Sequence, residues 1–285
     1  MRLWLRIFLI GFVLWLASVA VTAWTANSNL VPTVVLFGSF LVPVTFVVWA
    51  YGRERSPRVT VELLFMAFVV GGVLGVLGAS LLESLLIRPS VVMYVLVGLI
   101  EEGVKLGALM FVTRKMERRS AGDGLMLGAS VGFGFAAFES AGYAFNALFT
   151  SDGLSLSQLV ETEVLRGILS PVGHGLWTAI LGGVLFSARG RLTGSVLRTY
   201  LGVSLLHALW DSMTAIAIAI TLVLTGKPWQ WELLRIGRVP NVTDWQVHVF
   251  TMVNWAGLIT ISLVALLWLR TIAGKARHDR EILSQ

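Results

Sequence analysis

The chain has 285 residues, 56% of them hydrophobic and 13% charged, against about 25% charged residues in a soluble domain. There is no cysteine, which excludes disulfides, thiolate nucleophiles and Cys-ligated metals. The formal net charge of +6 lies in short loops beside long apolar runs, where it reports orientation in a bilayer rather than a nucleic-acid partner.

In chain order, eight apolar runs cover roughly 4–24, 30–51, 60–86, 91–112, 124–149, 165–187, 196–224 and 246–269. Each can cross roughly 30 Å of hydrocarbon at 1.5 Å per residue. Only helices satisfy their own backbone over such lengths in lipid. The fold class expected is therefore all-α, a polytopic transmembrane helix bundle of about eight spans.

Lys and Arg set the orientation. One set of ends holds Arg2 and Arg6; Arg53, Arg55 and Arg58; Arg114, Lys115, Arg118 and Arg119; Arg189, Arg191 and Arg198; and Arg270, Lys275, Arg277 and Arg280. The other ends hold only Arg88, Arg166, Lys227, Arg235 and Arg238. Sixteen against five places both termini in the cytoplasm, and an odd number of spans would break the alternation.

The first run, after Met1–Arg6 and before Val21-Thr22-Ala23, also has the layout of a signal peptide. Its apolar stretch is longer than a usual signal core, so a retained span is expected. The longest outer loops are Ser151–Glu163 and Gly226–Trp245, and Trp229, Trp231 and Trp245 suit an interfacial anchor in the second. One integral membrane domain, 1–285, is expected, with its core at about 91–224 (spans four to seven) and spans one to three and eight as flanking helices.

Glu101 and Glu102 stand in the middle of span four, where a carboxylate costs at least a few kcal/mol without a partner or water. Glu139 in span five, His174 in span six, and His207 and Asp211 in span seven all fall within roughly 5 Å of the same plane at the rise of a helix. Four helices thus bring acids and imidazoles to one depth.

Spacing adds detail. His207 and Asp211 are i,i+4 and share a helix face, so Asp211 can orient the imidazole. Glu101 and Lys105 are also i,i+4, which makes Lys105 a counter-ion. Glu102 points about 100° away from Glu101 and can meet a different neighbour. Pro171, just before His174, should kink or open span six. Glu62 and Glu83 lie near span ends and can reach head groups. His248 reads as interfacial, Asn254 as an interhelical hydrogen bond, and His278 as part of a charged tail.

Such a set suits general-base activation of water, with a glutamate taking the proton and a histidine placing the water or protonating the leaving amine. Two histidines and an acid can also hold zinc, with a second glutamate as base. The candidates for a metal are Glu102, Glu139, His174 and His207; the cofactor itself is unknown, and zinc fits this donor chemistry. Midplane acids and histidines serve proton-coupled transporters and ion pathways too. The lack of an internal repeat and of a second broken helix counts against that alternative.

Glu101-Glu102-x-x-Lys105, then Phe135-x-x-x-Glu139, then His174 in a glycine-rich span, then His207-x-x-x-Asp211 together resemble the PrsW family of intramembrane proteases, within the group of CAAX prenyl endopeptidases and bacteriocin-processing membrane proteins. The resemblance runs from about Gly98 to Met213 and includes Asp123-Gly124, Gly132-x-Gly134-Phe135-Ala136 and Tyr143. Where the family usually has Asn after the second-motif glutamate, this chain has Ser140, which can still hydrogen-bond. The resemblance implies an endopeptidase of the bacterial plasma membrane that cuts membrane-anchored proteins such as anti-sigma factors. The lipid bilayer and a membrane-anchored protein substrate are then its partners, and nucleic acid is not. It implies Glu101, Glu102, His174 and His207 as the residues to test, in a family classed as metallopeptidases whose relatives are also described with a metal-free glutamate and histidine mechanism.

Overall fold

A computed structural model describes residues 2–53, 56–90, 92–151, 153–238 and 240–284, with side chains up to 276. Arg55 and Val91, and the side chains of Arg277, His278 and Arg280, lie outside the described residues.

The helices are α1 (Leu3–Thr25), α2 (Val31–Arg53), α3 (Val61–Val69), α4 (Gly75–Leu86), α5 (Met93–Val112), α6 (Ala121–Ala147), α7 (Leu156–Leu169), α8 (His174–Ser187), α9 (Gly194–Thr225), α10 (Pro228–Arg235) and α11 (Asp244–Ser284). Among the described residues the only strands are Phe149–Thr150 and Gly153–Leu154, a two-stranded hairpin. Among the described residues, seven stretches are long and apolar enough to cross a membrane: Leu3–Thr25, Ser28–Arg53, Val61–Leu86, Ala121–Ala147, Leu156–Ser187, Gly194–Thr225 and Asp244–Ala276. The 20-residue α5 carries Glu101, Glu102 and Lys105, which lower its hydropathy but not its length. The chain is an all-α, multi-pass integral membrane bundle. Its outer faces present Ile10, Phe65, Leu77 and Leu263, as a lipid-facing surface requires.

α6 is the central helix and packs along α8, with α2, α3 and α7 around it. Small residues allow this. A Cβ on Gly124, Gly128 or Gly132 would collide with the backbone carbonyl of Gly182, Thr178 or His174, so these glycines set the closest approach of α6 to α8. On the other flank a Cβ on Gly98 would collide with the Ser204 carbonyl, which brings α5 onto α9. α6 starts at a capping box in which Ser120 and Asp123 exchange side-chain and backbone hydrogen bonds, and Arg58 Nε donates to Asp123 Oδ2 at 2.8 Å. Asp123 is therefore a helix-start residue, remote from the chemistry. α3 passes into α4 through a π turn at Val70–Leu74.

Two local expectations change, and the break in span six holds. Span six begins at Leu156, not 165, because Ser155 caps α7 through a hydrogen bond from Gln158 N, so part of the expected outer loop Ser151–Glu163 is helix. The stretch then breaks, as Pro171 suggests: a 3-10 turn covers Ser170–Val172, and Gly173 takes φ −103° and ψ −128° before α8 starts at His174. Asn254 Oδ1 has no hydrogen-bond partner among the described residues, so no interhelical bond forms at that oxygen. Glu62 is exposed, as expected for a span end. Trp229, Trp231 and Trp245 are exposed around α10, as interfacial anchors would be.

Candidate active site

The close α5–α9 and α6–α8 contacts carry the polar side chains of four helices to one place. On α5, Glu101, Glu102 and Lys105 are 6%, 0% and 0% exposed. Lys105 Nζ donates to Glu102 Oε1 at 2.6 Å and to Glu101 Oε2 at 3.4 Å. It also reaches His174 Nδ1 at 2.9 Å and lies 4.2 Å from the centre of the Phe135 ring. An ammonium can only donate, so Nδ1 of His174 is an acceptor here and its Nε2–H donates to Glu139 Oε2, 3.1 Å away.

His207 meets carboxylates at both ring nitrogens. Nδ1 is 3.0 Å from Glu102 Oε1, and Nε2 is 3.2 Å from Asp211 Oδ2 and 3.6 Å from Glu101 Oε2. Carboxylates only accept, so the ring either donates from both nitrogens as an imidazolium or turns the Nε2 lone pair to a cation. The two imidazoles stand 4.9 Å apart, centre to centre, with Trp177 against both.

Arg166 of α7 completes the wall. Its Nε donates to Ser140 Oγ at 2.8 Å, its Nη2 donates to Glu139 Oε2, and its guanidinium lies 4.2 Å from the centre of the Tyr143 ring. Ser140 thus holds a hydrogen bond of its own beside Glu139. By sequence Arg166 belongs to an outer end and has no expected role in the site. Its place one turn before the Pro171 break, inside an otherwise apolar run, is the signal the sequence carries for it.

A cavity of about 630 Å³ opens onto this cluster. Glu101, Glu139, His174 and Asp211 line it, together with Trp177, Trp210 and Arg166, whereas Glu102, Lys105 and His207 stand behind the wall. The ends of α5 and α6 contribute Tyr94 and Tyr143, and α4 contributes Val76, Ala79, Ser80 and Glu83. Glu83 therefore faces the cavity rather than lipid head groups.

Ligand atoms of Glu101, His174 and His207 all lie within 4.8 Å of one another. One carboxylate and two imidazoles match zinc by donor type. In the described arrangement His174 spends its two nitrogens on Lys105 and Glu139, so one of those bonds would be given up to an ion. From the sequence, Glu102 and Glu139 are the expected acidic ligands. Here Oε1 of Glu102 is held by Lys105 and His207, Oε2 of Glu139 by Arg166 and His174, and Glu101 is the acid grouped with both imidazoles.

Residues 59–233, more than half of the chain, match the family model described as PrsW family intramembrane metalloprotease. The chain belongs to the PrsW family. A relative described as "Protease PrsW", from Halalkalibacterium halodurans, is 29% identical over 168 residues, covering 57% of this chain and 73% of the relative. No solved structure matches. The PrsW match begins at residue 59 and so takes in α3 and α4, the span that lends Glu83 to the cavity. The four PrsW-like motifs, separated in sequence by up to about a hundred residues, meet around Lys105 and the two imidazoles. Membership makes the chain an integral membrane protease by family, with this cavity as its candidate active site.

Proposed function

We propose that the protein is an intramembrane endopeptidase of the bacterial plasma membrane, and that Glu101 is the carboxylate that activates water. The observation that carries this is the exposure of Glu101 to the cavity within reach of both imidazoles, while Glu102 is sealed behind it. Glu102 then acts as a positioning residue. It neutralises Lys105 and holds Nδ1 of His207, which fixes the direction in which that ring's Nε2 points.

Glu101 accepts a proton from water as the oxygen attacks the scissile carbonyl carbon. His207, held between Glu102 and Asp211 one layer behind Glu101, stabilises the oxyanion through the field it adds to the wall rather than by contact. The C–N bond breaks as the proton held on Glu101 passes to the leaving amine. His174, oriented by Glu139 and Lys105, places the water. Glu101, His174 and His207 would hold a divalent ion, each through one ligand atom; zinc there would supply Lewis acidity toward the water and the carbonyl, and the other oxygen of Glu101 would be left to take the proton.

The substrate class is a membrane-anchored protein, of the anti-sigma-factor kind. We place both termini in the cytoplasm, which sets the cavity toward the outer ends of α4, α5 and α6. The catalytic core comprises spans four to seven, to which α4 lends one cavity wall, and the remaining spans flank it. Reconstituted protein should cleave a single-span reporter, with activity lost in Glu101→Gln and His207→Ala. Full activity in both variants would overturn the proposal.

A further inference from the structure

One acid on the cavity wall has no part in the chemistry above. Glu83 lies on α4 at i+3, i+4 and i+7 from Ser80, Ala79 and Val76, and all four line the cavity, so this face of α4 looks into it. Its Oε1 is shielded from solvent and has no hydrogen-bond partner among the described residues. Every other acid in the cavity is engaged. Glu139 is held by Arg166 and His174, Asp211 by His207, and Glu101 faces Lys105 and His207.

Arg166 is the only lysine or arginine on the wall among the described residues, and Glu139 and Ser140 already occupy it. The cavity thus holds four carboxylates, and the one with no partner is Glu83. A carboxylate oxygen shielded from water is costly without a partner, and a cation entering with a substrate would supply one.

We infer that Glu83 is a specificity residue that receives a basic side chain, Lys or Arg, of the peptide being cut. This rests on the peptidase reading of the cavity. Depth fixes the register. Glu83 is three residues from the end of α4 and Glu101 eight residues from the start of the neighbouring α5, a difference of about 7–8 Å along the helix axis. An extended peptide advances about 3.3 Å per residue, so the basic residue falls about two positions from the scissile bond, toward the outer side.

The test uses full-length protein in nanodiscs, in a Glu101→Gln background that prevents turnover. The probes are labelled single-span peptides with Lys, Gln or Glu at each of three positions on the outer side of the span midpoint. The Lys peptide should bind about ten-fold tighter than the Gln peptide at one of these positions, and the ratio should fall to about one when Glu83→Gln is added. Glu83→Asp should retain the preference. Because each ratio compares peptides on one preparation, loss of folded protein does not move it. Equal binding of Lys and Gln peptides at all three positions, or a ratio that survives Glu83→Gln, would overturn the inference. Cleavage of the same peptides by the unsubstituted protein is read separately. Charge-selective binding without any cleavage would sink the peptidase reading and leave the subsite standing; cleavage with no charge preference would do the reverse.

Discussion

Glu101 and Glu102 are adjacent in the chain but lie on opposite sides of a wall: Glu101 lines the cavity, and Glu102 is sealed behind it, with Lys105 at 2.6 Å and His207 at 3.0 Å from the same oxygen. Their isosteric substitutions should therefore fail in different ways. Glu101→Gln should reduce cleavage by about a hundred- to ten-thousand-fold, the range for loss of a general base, with little change in stability. Glu102→Gln leaves a buried Lys105 short of its nearest anion and should lower stability by about 3 kcal/mol. Unfolding in mixed micelles beside a cleavage assay checks this, and equal stability losses in the two variants would contradict it.

Arg166 clasps α7 to α6 across the cavity through Glu139 and Ser140. A lysine cannot reproduce the planar fork or the stacking on Tyr143, so Arg166→Lys should behave like Arg166→Ala rather than like the unsubstituted protein. In a double-mutant cycle on stability with Glu139→Gln, the coupling should be about 1–3 kcal/mol. Additive effects would show that the clasp is not energetically coupled.

The approach of α6 to α8 depends on Gly132, whose Cβ would meet the backbone of His174. Gly132→Val should push the helices apart, cost about 1–3 kcal/mol or more and displace His174, with cleavage falling further than stability alone explains. Gly142 on the same helix has open space where a Cβ would go, so Gly142→Ala should be silent in both assays. A silent Gly132→Val would contradict the packing account.

The ligand set is tested by metal content. Purified protein should carry zinc, and alanine at Glu101, His174 or His207 should each lower the zinc per chain, whereas Asp211→Asn should keep it. Elemental analysis on protein of known concentration gives the answer without an activity assay. Zinc that persists in all three alanine variants would contradict the grouping, and fully active metal-free protein would remove the ion from the mechanism.

Much of this was legible in the sequence for a simple reason: a charge in an apolar run stands out, and the helix rise converts its position into depth. The shared plane of Glu101, Glu139, His174, His207 and Asp211 follows from that, the spans follow from the lengths of the apolar runs, and the break follows from the missing N–H of Pro171. Depth does not give azimuth, however. Which glutamate faces water depends on how α5 sits against α9, and so on Gly98 and Ser204, a contact that no local pattern specifies. Arg166 and Glu83 were hidden because residues near span ends look like interfacial charges, whereas the cavity extends along the helices far enough to take both in. The start of α7 lies outside the expected span because Ser157, Gln158, Glu161, Thr162 and Glu163 lower its apolarity to that of a loop.

The most direct measurement is single-turnover cleavage of a membrane-anchored reporter by purified, reconstituted protein, comparing Glu101→Gln, Glu102→Gln and the unsubstituted chain, with each rate corrected for folded fraction. The rate should collapse for Glu101→Gln and persist in the folded fraction of Glu102→Gln. A Glu101→Gln protein that cleaves at the unsubstituted rate, or a collapse confined to Glu102→Gln, would contradict the assignment of Glu101 as the water-activating carboxylate.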